Sequence, residues 1–495
     1  MKTNLSAIID TLDTVDVAGN TDAIVADLTS DSKAVVENSL FACIKGGRVD
    51  GHSFADDAIK RGASVLLCER RLETAKPVTQ VIVDDVRRAL ANVSSRFFGD
   101  PSKHLTVIGV TGTNGKTTTV HYLRSILEAW GQPVGIMGTL GHWIGRSVTK
   151  DSFTTPGSPE VHRYMRLMLD RGIRFCVMEV SSHAIAQSRV DYVNFDVVAF
   201  TNLTRDHLDF HDGFEDYTAT KMRLMGIDDE GDHFGDRRQA VVNTGDDVGR
   251  QIASRSPLSC LTYRLGGDAD VRCDIVEVGW EGSKLRVKHE GATVEVETAL
   301  IGRANAENAL AAFAVSSALD IDEDAISTGI AAIKSVPGRM EVIAGPGRWA
   351  IVDYAHTPDA LERLLEDVTQ MCTGRIICVF GCGGDRDQGK RPEMGEIAGR
   401  IADLTIVTSD NPRSEDPLKI IDQIVKGVPD KANYEVVPDR GEAIQRAVTL
   451  SKEGDIVVIA GKGHEDHQIV GTTRIDFDDR QAVRKAFGAV TSAKP

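Results

Sequence analysis

The sequence predicts an α/β protein of three domains, and three observations carry that reading. The chain has 495 residues, about three domains of ordinary size. A strand, a glycine-rich turn and a helix follow one another from Leu105 to Trp130. From Trp349 to Gly461, strand and helix patterns alternate in units of the length that doubly wound sheets use.

Residues 1–102 are expected to form a small N-terminal α/β domain, with short apolar runs (SLFACI, ASVLLC, TQVIVDD) between turn-rich stretches such as IKGGRVDG. PSKHLT, at 101–106, reads as a linker into the central domain, 103–336. There the strand LTVIGV, the turn TGTNG and the helix KTTTVHYLRSILEAW make a phosphate-loop unit. FCVMEV (175–180) and FDVVAF (195–200) are continuous apolar runs, which suit a parallel sheet covered on both faces. The stretch from 258 to 300 alternates instead, as in SKLRVKHEGATVEVETAL, and predicts an antiparallel excursion. The helix ANAENALAAFAVSSALD closes this domain near 319, and Val336–Pro337–Gly338 marks the next boundary. The third domain, 337–495, reads as Rossmann-like. Its strands are WAIVDYA, RIICVFG, LTIVTS, YEVVP and DIVVIAG, with helices at PDALERLLEDVTQM, after Lys390, after Pro417 and from Arg440.

Composition excludes several classes. With 57 basic against 73 acidic residues the net charge is −16, which argues against nucleic acid or an anionic membrane as partner. The N-terminus lacks the continuous apolar stretch of a secretory signal, and no apolar run reaches the ~18 residues of a membrane span. A cytoplasmic, monomeric protein is expected. Its eight cysteines form no CxxC pair; Cys378 and Cys382 come nearest, inside an apolar run, so buried reduced thiols are expected and no zinc site.

GVTGTNGKTTT at 109–119 has the context a phosphate loop needs, with backbone N–H groups and a helix N-terminus facing an anion. Lys116 would reach the β- and γ-phosphates of a bound nucleotide, and the Thr117 hydroxyl would bind Mg²⁺. The usual first glycine position holds Val110. Further on, Glu179 ends a buried strand, Asp206 and His207 follow another, and Lys221 lies on a helix. Strand ends are where such sheets bind ligands. An exposed carboxylate and a solvated lysine are the plain alternatives.

The string TGTNGKT resembles the nucleotide loop of the Mur ligase and folylpolyglutamate synthetase superfamily, as do MEVSSH, FTNLTRDHLDFH and YTATK further on. The resemblance covers nearly the whole chain. It implies ATP-dependent amide ligation through an acyl phosphate, with ATP held by Gly112, Thr113, Asn114, Gly115, Lys116, Thr117 and Thr118. It adds Asn305, Asn308, Arg339 and Asp353, with His356 nearby, for the rest of the nucleotide. Helix capping is the alternative for the two asparagines. Catalytic roles are implied for Lys116, Glu179, His207 and Lys221. Mg²⁺ would be held by Thr117, Glu179, His207 and Lys221, the lysine carbamylated to N6-carboxylysine.

The substrates are implied in the same way. A UDP-linked muramoyl dipeptide would meet Ser30, Ser32, Gly47, Arg48 and Val49 in the first domain, and Thr154, Thr155, Ser181, Gln187 and Arg189 in the second. This chain has Phe153 where the family often has Asn before the Thr pair. SDNPRSEDP resembles the signature of the family branch that adds meso-diaminopimelate. It implies a site of Arg386, Asp410, Asn411, Pro412, Arg413, Gly461 and Glu465, in which Arg clamps a carboxylate and Glu meets an ammonium. L-Lysine in the same site, a folate-polyglutamylating ligase and a nucleotide-dependent switch are the competing readings.

Overall fold

The computed structural model describes residues 2–12, 16–47, 49–149, 153–206, 210–228, 234–345 and 347–492. The first sheet has five strands in the order Asp16–Ala18, Thr79–Ile82, Ala63–Cys68, Ser39–Ala42, Asp27–Thr29. The last four are parallel, and Asp16–Ala18 caps one edge in the antiparallel sense.

The second sheet has eleven strands, and its first strand in sequence, Thr106–Thr111, lies inside it. Phe175–Glu179 and then Val134–Gly138 lie on one side, and Phe195–Phe200 and Arg237–Asn243 on the other, all parallel. Chain order therefore reverses at Thr106–Thr111, and the crevice at its carboxyl end is where sheets of this kind take ligands. Alternate residues feed two cores, as the two-residue repeat of a strand requires. Ile108, Val110 and Val177 pack under the helices Lys116–Ala129 and Arg303–Ser317; Val107, Cys176 and Met178 pack on the opposite face with Ser158–Asp170.

The antiparallel excursion begins later than the alternation predicts. Ser259–Leu265 joins Arg237–Asn243 in parallel, because the helix Asp247–Arg255 returns the chain to the same end of the sheet. Val271–Gly279 is still parallel to it, and antiparallel pairing on this side starts with Gly282–His289 and Ala292–Thr298, as it does at the opposite edge with Gly141–Ile144 and Ser147–Thr149. A further helix, Glu323–Ala332, follows the one expected to close this region.

The third sheet has six strands, in the order Glu341–Gly345, Arg348–Asp353, Ile456–Ala460, Ile376–Phe380, Leu404–Val407, Tyr434–Val436. All are parallel except the first, which the sequence reading missed together with the small hairpin His467–Val470/Thr473–Asp476. The C-terminal helix Asp479–Ser492 is anchored by Asp479, whose carboxylate accepts two 2.7 Å hydrogen bonds from the buried Arg440 guanidinium. The second and third sheets touch through Trp280, in the turn between two antiparallel strands. Its ring stacks on Trp349 with centroids 5.0 Å apart.

Candidate active site

The glycine-rich turn is shaped by its glycines and by a neighbouring asparagine. Gly112 and Gly115 have φ of +143° and +88°. At Gly115 a Cβ would lie 2.2 Å from Asn308 Oδ1, so only glycine lets the turn lie against the helix Arg303–Ser317. Asn202, just past the strand Phe195–Phe200, accepts from Thr113 N–H through its carbonyl (2.8 Å) and from Asn114 N–H through Oδ1 (3.0 Å). Lys116, at the helix start, donates to the carbonyls of Gly112 and Thr113 at 2.8 and 2.9 Å.

Glu179 is buried beside this turn. Its Oε2 accepts from the Thr117 hydroxyl at 2.9 Å, and its Oε1 from the Thr139 N–H at 2.8 Å. Thr117 Oγ1 also accepts from Arg339 Nη2 at 3.2 Å, a contact between the helix Lys116–Ala129 and the segment that enters the third sheet. Lys221 is fully enclosed, its ammonium nitrogen 3.0 Å from Gly112 O and 4.8 Å from the centre of the Tyr217 ring. Burial, reinforced by the adjacent Lys116 cation, pushes the Lys221 amine well below its ordinary value, while Asp206 opposes the shift. Lys116 is lowered too, chiefly by burial. His207 lies outside the described residues.

Thr113, Lys116, Thr117, Glu179 and Arg339 line a cleft of about 540 Å³ that also receives Asn305, Asn308, Asp353, Ser181, Gln187 and Arg189, while Lys221 is buried beneath Gly112 and does not reach its wall. The two asparagines do not cap the helix; Gly302 holds that position, and they are buried within it, Asn305 donating to Ile301 O and Asn308 to Asn305 Oδ1. Asp353 accepts from the N–H groups of Met340 and Ala355, both at 2.7 Å, and burial raises its carboxyl. It therefore also fastens the segment entering the third sheet.

Of the residues expected to meet the muramoyl substrate, Thr154 lines the cleft but Thr155 does not. Thr155 is buried, its hydroxyl donating to Glu179 O at 2.8 Å. Arg189 donates to Thr155 O at 2.9 Å and lies 4.3 Å from the Phe153 ring centre. Ser30, Ser32, Gly47 and Val49 follow strands of the first sheet at its carboxyl edge, outside this cleft. Arg48 lies outside the described residues. Arg87 joins the two regions, donating to Lys45 O and Gln187 Oε1.

A second cleft, about 250 Å³, is lined by Arg386, Asp410, Asn411, Arg413, Gly461 and Glu465. Pro412 is buried behind it. Arg413, at φ +50°, donates from Nη1 to Gly384 O at 2.7 Å. His183, Asp206, Tyr354, His356 and Arg386 line both clefts, so the two are continuous. His356 is held by Nδ1 against Tyr354 O (2.8 Å), and burial with the Lys390 cation lowers its imidazole. The sequence reading passed over Thr139, His183 and Asn202; each follows a strand of the second sheet at its carboxyl end, the one signal that could have found them.

This arrangement suits phosphoryl transfer at one end of a channel and amino-acid binding at the other. Comparison with known proteins agrees. The Mur ligase middle domain matches residues 110–316, the Mur ligase glutamate ligase domain 338–463, and the Mur ligase family catalytic domain 25–98. The UDP-N-acetylmuramoyl-L-alanyl-D-glutamate–2,6-diaminopimelate ligase of Syntrophomonas wolfei is 41% identical over 466 residues, 94% of each chain. A solved structure of a ligase with that same name superposes with a TM-score of 0.69 at 31% identity, covering 99% of this chain and 100% of the other. The fold is shared with the MurF ligase of Thermotoga maritima in complex with ADP, at a TM-score of 0.65, 20% identity and coverage of 94% and 97%. Three successive domain matches and a relative this similar over nearly its full length leave one assignment: the chain belongs to the Mur ligase family.

Proposed function

We propose that this chain is an ADP-forming ligase that joins the γ-carboxylate of UDP-N-acetylmuramoyl-L-alanyl-D-glutamate to an amino group of meso-diaminopimelate. The observation that carries the reading is the continuity of the two clefts: a phosphate loop at one end and Arg386, Asp410, Asn411, Arg413 and Glu465 at the other. The names of the relatives support the same substrates.

The carboxylate attacks the γ-phosphorus of ATP, ADP leaves, and an acyl phosphate results. The amine then attacks the acyl carbon, phosphate departs and the nitrogen loses a proton. Lys116, now folded onto the carbonyls of Gly112 and Thr113, would turn from them to bind the phosphates. Arg339 adds a second cation beside Thr117. The Thr117 hydroxyl and the Glu179 carboxylate, 2.9 Å apart, are hard oxygen donors of the kind Mg²⁺ takes. Thr117, Glu179, His207 and a carbamate on Lys221 would hold Mg²⁺, which supplies charge neutralisation for phosphoryl transfer. Burial, which pushes the Lys221 amine well below its ordinary value, favours the unprotonated form whose lone pair CO₂ needs to form a carbamate. Ser30, Ser32, Gly47, Arg48 and Val49 take the UDP-muramoyl end, and the clefts take its peptide. We divide the chain at 102 and 336, and assign it to the cytoplasm as a monomer. Among the described residues no helix is long and apolar enough to cross a membrane.

The test is phosphate release with the UDP-muramoyl dipeptide and a panel of amino acids. Release is expected only when the dipeptide and meso-diaminopimelate are both present. Release without the dipeptide, or equal rates with lysine, would overturn the assignment.

A further inference from the structure

The segment Gly461–Lys462–Gly463 follows the strand Ile456–Ala460 at the floor of the amino-acid cleft. Both glycines have positive φ, +116° and +51°, and a Cβ on Gly463 would lie 2.7 Å from Gly338 O. The backbone is therefore fixed on both sides of Lys462, whose side chain points inward and is fully buried. Its ammonium donates to Glu465 Oε2 at 2.7 Å and to Asn411 Oδ1 at 3.1 Å. Asn411 Oδ1 also accepts from Ile469 N–H at 2.9 Å, so the amide nitrogen must face the other way, and it donates to Glu465 Oε2 at 2.9 Å. The three side chains form a closed ring of hydrogen bonds.

A buried ammonium costs free energy unless it is paired, and an apolar side chain of the same length would fill the space without that cost. The ring accounts for the charge. Glu465 Oε2 is saturated by two donors, whereas Oε1 has no hydrogen-bond partner among the described residues and Glu465 lines the cleft. Two other buried cations nearby are committed elsewhere, Arg440 to Asp479 and Arg391 to Glu415, each by two hydrogen bonds. Lys462 is thus the counter-ion in direct contact with Glu465.

We propose that Lys462 is a positioning residue for amino-acid selection, resting on the ligase reading above: it pins Glu465 Oε2 and Asn411 together and so aims Glu465 Oε1 at the ammonium of the non-reacting end of the diamino acid. Lys462 touches no substrate. Its contribution passes through Glu465, and this separates it from a residue that merely fills the core.

The experiment is a double-mutant cycle of wild type, Lys462→Met, Glu465→Gln and the double variant, reading kcat and the KM of each substrate. Lys462→Met should raise the KM for meso-diaminopimelate about 10- to 100-fold, the worth of one charge-assisted hydrogen bond. The KM values for ATP and the UDP-muramoyl dipeptide should stay as in wild type. Glu465→Gln should do the same, and the double variant should be no worse than Glu465→Gln alone. An unchanged KM for diaminopimelate, additive losses, or equal rises for all three substrates would overturn the proposal. If Lys462→Met does not fold, Lys462→Gln keeps a donor toward Asn411 without the charge and carries the same comparison. A wild-type enzyme that releases no phosphate with diaminopimelate refutes the ligase reading itself, a different result from a wild type that works and a Lys462 variant that works equally well.

Discussion

The Thr117 hydroxyl donates to the Glu179 carboxylate across 2.9 Å, joining the first turn of one helix to the carboxyl end of a strand 62 residues later. Gly138 stands against the other oxygen. A Cβ there would lie 2.5 Å from Glu179 Oε1, with no positive φ to strain the backbone. Gly138→Ala should therefore push the carboxylate aside while leaving the melting temperature nearly unchanged. Displacement on this scale costs about 10²-fold in turnover. A variant as active as wild type would show that the position of Glu179 does not matter to the reaction.

Lys221→Ala should be nearly inactive, and short carboxylates added to the assay should restore part of the rate by supplying the missing anion. Wild type stripped of CO₂ should lose activity and recover it with bicarbonate, because burial lowers the Lys221 amine and so favours the form that reacts with CO₂. Full activity of Lys221→Ala, or electron density for an unmodified Lys221 in a complex with an ATP analogue, would refute the carbamate.

Arg413 is expected to meet the distal carboxylate of diaminopimelate, the group lysine lacks. Removing one partner of a buried charge pair costs about 2–5 kcal/mol, so Arg413→Ala should lower kcat/KM for diaminopimelate at least 30-fold on that scale (about 1.4 kcal/mol per decade). The poor rate with lysine should change far less. Arg413→Lys should not recover the loss, since a point charge cannot reproduce a two-pronged contact. The guanidinium also donates to Gly384 O. Equal losses for both amino acids would reduce Arg413 to a support of that loop.

His162 makes stability depend on pH. It is fully buried on the helix Ser158–Asp170, and burial lowers its imidazole from 6.5 to about 4. The unfolded chain takes the proton near 6.5 and the folded chain only near 4. Stability is thus complete above 6.5 and is lost as pH falls from 6.5 to 4. The shift corresponds to something on the order of 3 kcal/mol. Urea unfolding of wild type and His162→Leu at pH 7 and pH 5 should show the larger loss in wild type; the same loss in both would assign the acid sensitivity elsewhere.

What could be read from the sequence was whatever lies in one short stretch. The phosphate loop is contiguous from Gly112 to Thr118, and six of its residues, Thr113 to Thr118, line the cleft in a row. The strings around Asp410 and Glu465 were legible for the same reason. Thr139 was not, because it reaches Glu179 only through the parallel pairing of Val134–Gly138 with Phe175–Glu179, a register that no local pattern encodes. Thr155 is implied to meet substrate only by resemblance, and nothing local distinguishes it from Thr154: in the structure Thr154 lines the cleft while the Thr155 hydroxyl donates to Glu179 O. The parallel course of Ser259–Leu265 was hidden in the same manner: alternation reports a half-buried strand and says nothing of its direction.

The stacked Trp280–Trp349 pair gives the molecule an optical gauge of its own. The chain has four tryptophans, and these two rings, from different sheets, lie 12° from parallel. Indoles this close couple their excited states, and the coupling falls off steeply as rings separate or tilt. Any rotation of the third sheet against the second is thereby written into the near-ultraviolet dichroism and fluorescence, without a dye. Trp130 instead meets Phe175, a partner within the second sheet, so a rotation of that kind leaves its packing unchanged while it alters the Trp280–Trp349 signal.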